Sequence, residues 1–232
     1  MPEKIKVALA THDGGAHLGA YFSALAATKE VESVALVDPS GQSNAAAKKA
    51  LGDKLSATYS NVAKMLKTFQ PALTLVTMEA ATAPPVIARI LEGGSHVFAE
   101  KPACVRAEDF RPLVKLARHK KVNLRLALPS RLSANTNRAK QIVDAGWIGK
   151  LYGVTFFQVK DKARVTRSDY QKSWFAFRDK SGGGHLIWLG IHNLDQVFFI
   201  TNDRVAKVTG FARNVGGQPV QIEDSEAVAF QF

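Results

Sequence analysis

Short, nearly continuous apolar runs at residues 5–10, 31–37, 73–77, 96–99 and 123–127 alternate with stretches of helical periodicity through the first half of this chain. A strand that is apolar on both of its faces is built to be covered on both, as in a parallel sheet. The stretches between the runs, at about 15–27, 42–52, 61–68, 82–92 and 106–119, supply the crossover helices. In the first of them Leu18, Phe22 and Leu25 recur at helical spacing. Pro84 and Pro85 suit the first turn of the fourth, and Gly93 and Gly94 suit its end. The alternation predicts an α/β fold with a doubly wound parallel sheet.

The pattern changes near residue 128. A helix is expected at 134–145, stopped by Gly146, then a long strand over 151–160 and a charged loop to 180. A helix over 184–201 and strands near 205–212 and 227–232 follow. Long strands with few crossovers predict an α+β domain with an open, mainly antiparallel sheet, which divides the chain into 1–126 and 127–232. The sequence stops inside its last expected strand. An edge left there must pair, so either the second domain is incomplete at its C-terminal end or another copy covers it.

Composition narrows the partners. The chain has 232 residues, 46% of them hydrophobic, which is enough for a sizeable core. Cys104 is the only cysteine, so no internal disulfide framework exists and a reducing compartment is expected. No signal peptide precedes the first strand and no apolar run is long enough for a bilayer, so the expectation is a cytoplasmic protein without a membrane partner. The net charge of +11 raises nucleic acid as a partner. The basic residues are scattered, however. Arg118, Lys120 and Lys121 fall where a helix should end and complement its dipole. Lys160, Lys162, Arg164 and Arg167 form a solvated or anion-attracting loop. With no zinc-finger spacing and no aromatic RNA-binding signature, nucleic acid is not expected.

Three segments carry chemistry. His96-Val-Phe-Ala-Glu-Lys-Pro102 ends a strand with Glu100 and Lys101, delivering an ammonium where open α/β sheets bind ligands. An ammonium there can donate to a substrate oxygen and steady developing charge. After the first strand, Gly14, Ala16 and Gly19 hold the spacing of a dinucleotide fingerprint, within Gly14-Gly15-Ala16-His17-Leu18-Gly19. Its glycines serve the turn, the pyrophosphate approach and helix–strand packing, although Ala16 adds a methyl where bare backbone is wanted. Asp38 closes the second strand, where a carboxylate accepts from ribose hydroxyls and repels a 2′-phosphate, favouring NAD over NADP. In Ser181–Asp195, three glycines precede a helix on which Trp188, His192 and Asp195 follow i, i+4, i+7 spacing. An imidazole titrates near neutrality and can pass a hydroxyl proton. A metal cluster of His185, His192 and Asp195 is not enforced by that spacing, so none is expected.

At these residues the chain resembles the Gfo/Idh/MocA family of oxidoreductases, the relatives of glucose–fructose oxidoreductase and inositol dehydrogenase. The resemblance runs through Val37-Asp38, Leu73-Thr-Leu-Val-Thr77, Gly94 to Pro102, Val143-Asp-Ala-Gly-Trp-Ile-Gly-Lys-Leu-Tyr-Gly153 and Gly182 to Asp195. It implies a Rossmann domain for 1–126, with Thr77, Glu100 and Lys101 beside the cofactor, and a second domain that binds substrate and often mediates homo-oligomerisation. It implies hydride exchange between a nicotinamide and a sugar, cyclitol or similar polyol. Lys101 then matches the family's catalytic, substrate-binding lysine and His192 its catalytic histidine, with Asp195 an acid next to the site. Two departures stand out. Trp188 occupies the position of a family Asp and cannot relay a proton, although an indole can stack on a sugar. Ala16 and a lengthened turn depart from the fingerprint. Both leave open a non-catalytic relative that binds nucleotide or sugar as a sensor or scaffold.

Overall fold

The computed structural model describes residues 3–12, 15–161 and 163–232. They form two compact units, Met1–Ala127 and Leu128–Phe232.

In the first unit the strands are β1 (Ile5–Thr11), β2 (Val31–Val37), β3 (Leu55–Tyr59), β4 (Leu73–Thr77), β5 (His96–Ala99) and β6 (Leu124–Leu126). The helices are α1 (Leu18–Ala27), α2 (Asn44–Leu51), α3 (Val62–Thr68), α4 (Ala83–Glu92) and α5 (Ala107–His119). The six strands run parallel in the order β3-β2-β1-β4-β5-β6.

Alternation within single strands explains the two layers. Ala8 and Ala10 of β1, with Val37 and Val76, join Met65, Ile87, Ile90 and Leu113 from α3, α4 and α5. Val7 and Leu9, with Val34, Leu36 and Leu75, join Phe22, Leu25, Ala47 and Leu51 from α1 and α2. Helices therefore cover both faces, which is why β1, β2 and β4 read as nearly continuous apolar runs. Local chemistry sets the helix ends. The Asn61 side chain accepts from the Lys64 amide at 3.1 Å at the start of α3. Prolines sit in the first turn of α4. Glu108 and Asp109 open α5, and Arg118 and His119 close it.

One strand of this sheet was not expected. The residues of β3 alternate between half-buried and exposed. An edge strand needs only one apolar face, so Leu-Ser-Ala-Thr-Tyr lacks the continuous run that marks its buried neighbours.

The second unit opens with a 3-10 turn (Pro129–Leu132) and α6 (Ala134–Asp144), capped by Ser133, which accepts from the Thr136 amide. The expected charged loop folds into 3-10 turns at Ala163–Thr166 and Trp174–Ala176, with α7 (Ser168–Lys172) and α8 (Arg178–Ser181). Val165, Tyr170, Ala176 and Ile222 form its small core. The helix expected at 184–201 begins with a π turn, Leu186–Gly190, and continues as α9 (Ile191–Thr201). An antiparallel ribbon of β7 (Lys207–Arg213) and β8 (Ser225–Gln231) follows.

The expected strand at 151–160 is not formed. These residues join no ladder, and Tyr152 and Phe157 are 90% and 92% exposed. Their composition suits a strand, but a strand exists only when a neighbour supplies hydrogen bonds, and β7 and β8 pair with each other.

The layered core predicts a sharp contrast in stability. Ile87→Ala, at a fully buried position, should cost about 2–5 kcal/mol. Phe157→Ser should change stability by under about 0.5 kcal/mol. Urea denaturation followed by circular dichroism measures both.

Candidate active site

Strand order reverses between β1 and β4, which place their following connections on opposite sides. A cleft of about 500 Å³ opens at the carboxyl ends of β1, β2 and β4, lined by His12, Pro39, Asn61, Met78, Thr82 and Val86 among others. His12 is fixed there as an acceptor, its Nε2 taking the amide of Glu79.

The turn after β1 borders this cleft. Gly14 lies outside the described residues. The Gly15 amide closes the turn on the His12 carbonyl at 3.1 Å. A Cβ on Gly15 would come within 2.1 Å of Thr11 Oγ1 and 2.8 Å of the Thr77 carbonyl, so backbone alone fits. Thr77 Oγ1 donates to the Ala16 carbonyl at 2.6 Å and ties the end of β4 to the turn. His17 takes a left-handed conformation and leads into α1, which no described side chain caps and which has no acid in its first turn. The amides at that terminus are suited to an anion. Leu18 and Gly19 are the first two residues of α1. A Cβ on Gly19 would meet nothing within 4 Å, so the close packing expected there is found at Gly15 instead.

Asp38 is 4% exposed at the end of β2. Its Oδ1 accepts from the Ser40 amide at 3.0 Å and the Ser40 hydroxyl at 2.7 Å, and its Oδ2 from the Ser43 amide at 2.9 Å. Burial alone would raise this carboxyl, but the hydrogen bonds from Ser40 and Ser43 outweigh it and hold the pKa below its usual value.

At the end of β5, Glu100 and Lys101 are 8% and 5% exposed. Glu100 Oε1 accepts the Lys101 amide at 3.0 Å, while Oε2 accepts the Tyr21 hydroxyl from α1. Burial, then the hydrogen bond and charge of Glu100, push the Tyr21 phenol well above its ordinary value, so it remains a donor. Tyr21 thus braces the Lys101 backbone through Glu100. Its signal in the sequence is weak: a tyrosine one turn from Leu18, beside the apolar stripe of α1.

In the second unit, His192 is half-buried near the start of α9 and Asp195 is 5% exposed one turn later. Both Asp195 oxygens are engaged by Arg131. Nε donates to Oδ2 at 2.8 Å and Nη2 donates to Oδ1. That hydrogen bonding raises the Arg131 pKa further above its ordinary value. Trp188 lies within the π turn that leads into α9. Its indole packs against Trp174 at 5.5 Å and Phe175 at 4.9 Å between centroids. Arg131 escaped notice because a single arginine in a short turn carries no spacing signal. Among the described residues no group of three or more His, Cys, Asp or Glu is placed to hold a metal ion. No helix among them is long and apolar enough to cross a membrane.

Comparison with known proteins gives matches in both units. A family model described as an oxidoreductase family with an NAD-binding Rossmann fold matches residues 14–128, and the GFO/IDH/MocA C-terminal domain matches residues 136–232. The chain is 30% identical over 209 residues to the rhizopine catabolism protein MocA of Rhizobium meliloti, covering 88% of this chain and 62% of that protein. It is 32% identical over 112 residues to D-glucoside 3-dehydrogenase of Escherichia coli strain K12, covering 47% of this chain and 30% of that one. It thus spans under two-thirds of the length of either relative. Scyllo-inositol dehydrogenase from Lactobacillus casei, solved with NAD(H) and scyllo-inositol, superposes with a TM-score of 0.80 at 22% identity, over 99% of this chain and 66% of that one. At that identity the likeness is one of fold.

Two measurements follow from this geometry. Gly15→Ala should cost about 1–3 kcal/mol by overpacking, whereas Gly19→Ala should gain about 0.5–1 kcal/mol through helix propensity; urea midpoints compare them. A carboxyl whose pKa is depressed on folding stabilises the fold above its unfolded pKa of about 3.9 and loses that contribution as pH falls through the folded value. Unfolding free energies measured between about pH 2 and pH 5 should therefore fall more steeply with acid in the parent than in Asp38→Asn.

Proposed function

The chain belongs to the Gfo/Idh/MocA oxidoreductase family, and from that membership we propose an NAD-dependent oxidoreductase that exchanges hydride with a carbinol carbon of a sugar, cyclitol or similar polyol. The observation that carries the reading is the cleft at the strand-order reversal, together with a turn whose Gly15 admits no side chain, a helix start without a side-chain cap and a buried Asp38 at the end of β2. The donor and acceptor set fits NAD. The turn from Gly14 to Gly19 and the first amides of α1 would hold the pyrophosphate. Asp38 keeps its carboxylate fixed by two backbone amides and would accept from the ribose hydroxyls. A 2′-phosphate would meet that carboxylate, so NAD is favoured over NADP. When bound, the nicotinamide accepts or returns the hydride.

The chain's own groups manage the oxygen and its proton. Lys101 orients and polarises the reacting oxygen, with its backbone held through Glu100 and Tyr21. His192 takes the hydroxyl proton during oxidation and returns it during reduction. In the oxidation direction, bound NAD would supply the hydride acceptor while His192 takes the O–H proton as the carbinol becomes a carbonyl. Asp195, held by Arg131, positions the His192 helix rather than the substrate. Trp188, buried against Trp174 and Phe175, serves as packing and not as a stacking platform. We take 1–126 as the cofactor domain and 127–232 as the substrate and oligomerisation domain. β7 is exposed along its whole length, with Val208 and Phe211 63% and 80% exposed, which supports a homo-oligomer joined through this ribbon. The lone Cys104 supports a reducing compartment such as the cytoplasm.

Single-turnover reduction of NAD across a panel of sugars and cyclitols tests the reading. We expect formation of reduced cofactor with at least one polyol, lowered about 10²-fold or more by Lys101→Ala and by His192→Ala, with NAD affinity in His192→Ala kept within about threefold of the parent. Failure to bind NAD in titration calorimetry would refute the function. Binding without any reduction would make the chain a non-catalytic nucleotide-binding relative.

A further inference from the structure

The glycines at 182–184 have a physical reason 39 residues further along the chain, at Glu223. Glu223 is only 5% exposed despite its charge. Its Oε1 accepts the Gly184 amide at 2.6 Å, and its Oε2 lies 3.5 Å from Arg178 Nη2. A Cβ on Gly184 would stand 2.0 Å from the Glu223 carbonyl oxygen, and one on Gly183 would stand 3.0 Å from Oε1. The same strap is fastened twice more. The Gln221 amide donates to the Ala176 carbonyl at 2.8 Å, and Arg178 Nε donates to the Gln221 carbonyl at 3.3 Å. The glycines therefore form a slot filled by this chain's own residues 221–223.

Gly184 immediately precedes the helix that begins at His185, runs through the π turn and continues as α9 with His192. The first amides of a helix lack intrahelical acceptors, and a carboxylate near them complements the dipole. His185, at the head of the π turn, makes no side-chain cap. Glu223 supplies the carboxylate from a distance. Further along the same helix, Arg131 grips both oxygens of Asp195. His192 lies between these two anchors, and together they fix the rotation of the helix about its axis.

We propose that Glu223 is a positioning residue that sets the register of the helix carrying His192 and so aims its imidazole. The proposal rests on the reading of His192 as the acid–base group. Glu223→Gln keeps an acceptor oxygen for the Gly184 amide; Glu223→Ala removes it.

The test follows the Gly184 amide and the His192 imidazole by NMR in the whole chain without substrate, together with single-turnover reduction of NAD. In Glu223→Ala, Gly184 exchange should accelerate about tenfold or more. The His192 resonances should shift, and the turnover rate should fall about tenfold or more with NAD affinity unchanged. Glu223→Gln should restore all three to within about threefold of the parent. A folded Glu223→Ala with unmoved His192 resonances, or shifts that Glu223→Gln fails to rescue, would overturn the proposal. Should the alanine variant not fold, Glu223→Asp withdraws the carboxylate by one methylene, and unmoved His192 resonances in it would be equally decisive. A parent chain without turnover would refute the oxidoreductase reading, while the His192 resonances would still decide the role of Glu223.

Discussion

The parallel pairing of β1 with β2 on one side and β4 on the other is the constraint on which the rest of the first unit depends. A central strand buried on both faces must be apolar throughout, and Val7 to Ala10 are fully buried. Because the crossover from β1 runs one way and the chain returns on the other side of it, the connections diverge at the carboxyl edge. A cleft opens there for topological reasons, before any side chain is chosen. The particular residues then refine it. Thr77 fastens the turn, Gly15 lets the turn lie against β1 and β4, and Asp38 closes β2 with its carboxylate oriented by backbone amides.

The features that sequence could reveal are those written in periodicity. The buried strands and the five crossover helices carry strong apolar repeats, and they form close to where those repeats place them. Edges are harder. β3 exists because β2 offers it a ladder, whereas residues 151–160 have equal or better strand composition and no ladder. Pairing is a non-local property, and composition alone does not report it. The same limit governs glycine. Spacing pointed to Gly19 as a packing glycine, yet the crowded position is Gly15, because the crowding comes from Thr11 and Thr77 rather than from the helix itself.

The candidate site was legible in residue type and hidden in support. Lys101, Asp38 and His192 stand out as chemistry-bearing groups at informative positions. Tyr21, Arg131 and Glu223 do not, since each acts through a partner far along the chain, as in the Arg131–Asp195 and Glu223–Gly184 contacts. The π turn is a further case, since no apolar repeat announces it, and Trp188 within it joins an aromatic cluster with Trp174 and Phe175. Buried ionised or polar groups need such partners, and supplying them recruits residues that do no chemistry themselves.

The central claim is that NAD docks at the carboxyl edge of β1, β2 and β4. Hydrogen–deuterium exchange with and without NAD tests it most directly, because it reads every segment of the chain in one experiment. The account predicts that NAD slows exchange in the segments holding residues 15–21, 38–43 and 77–82, and leaves the segments at the opposite edge of the sheet unchanged. Protection confined to any other region, or none at saturating NAD, would contradict it.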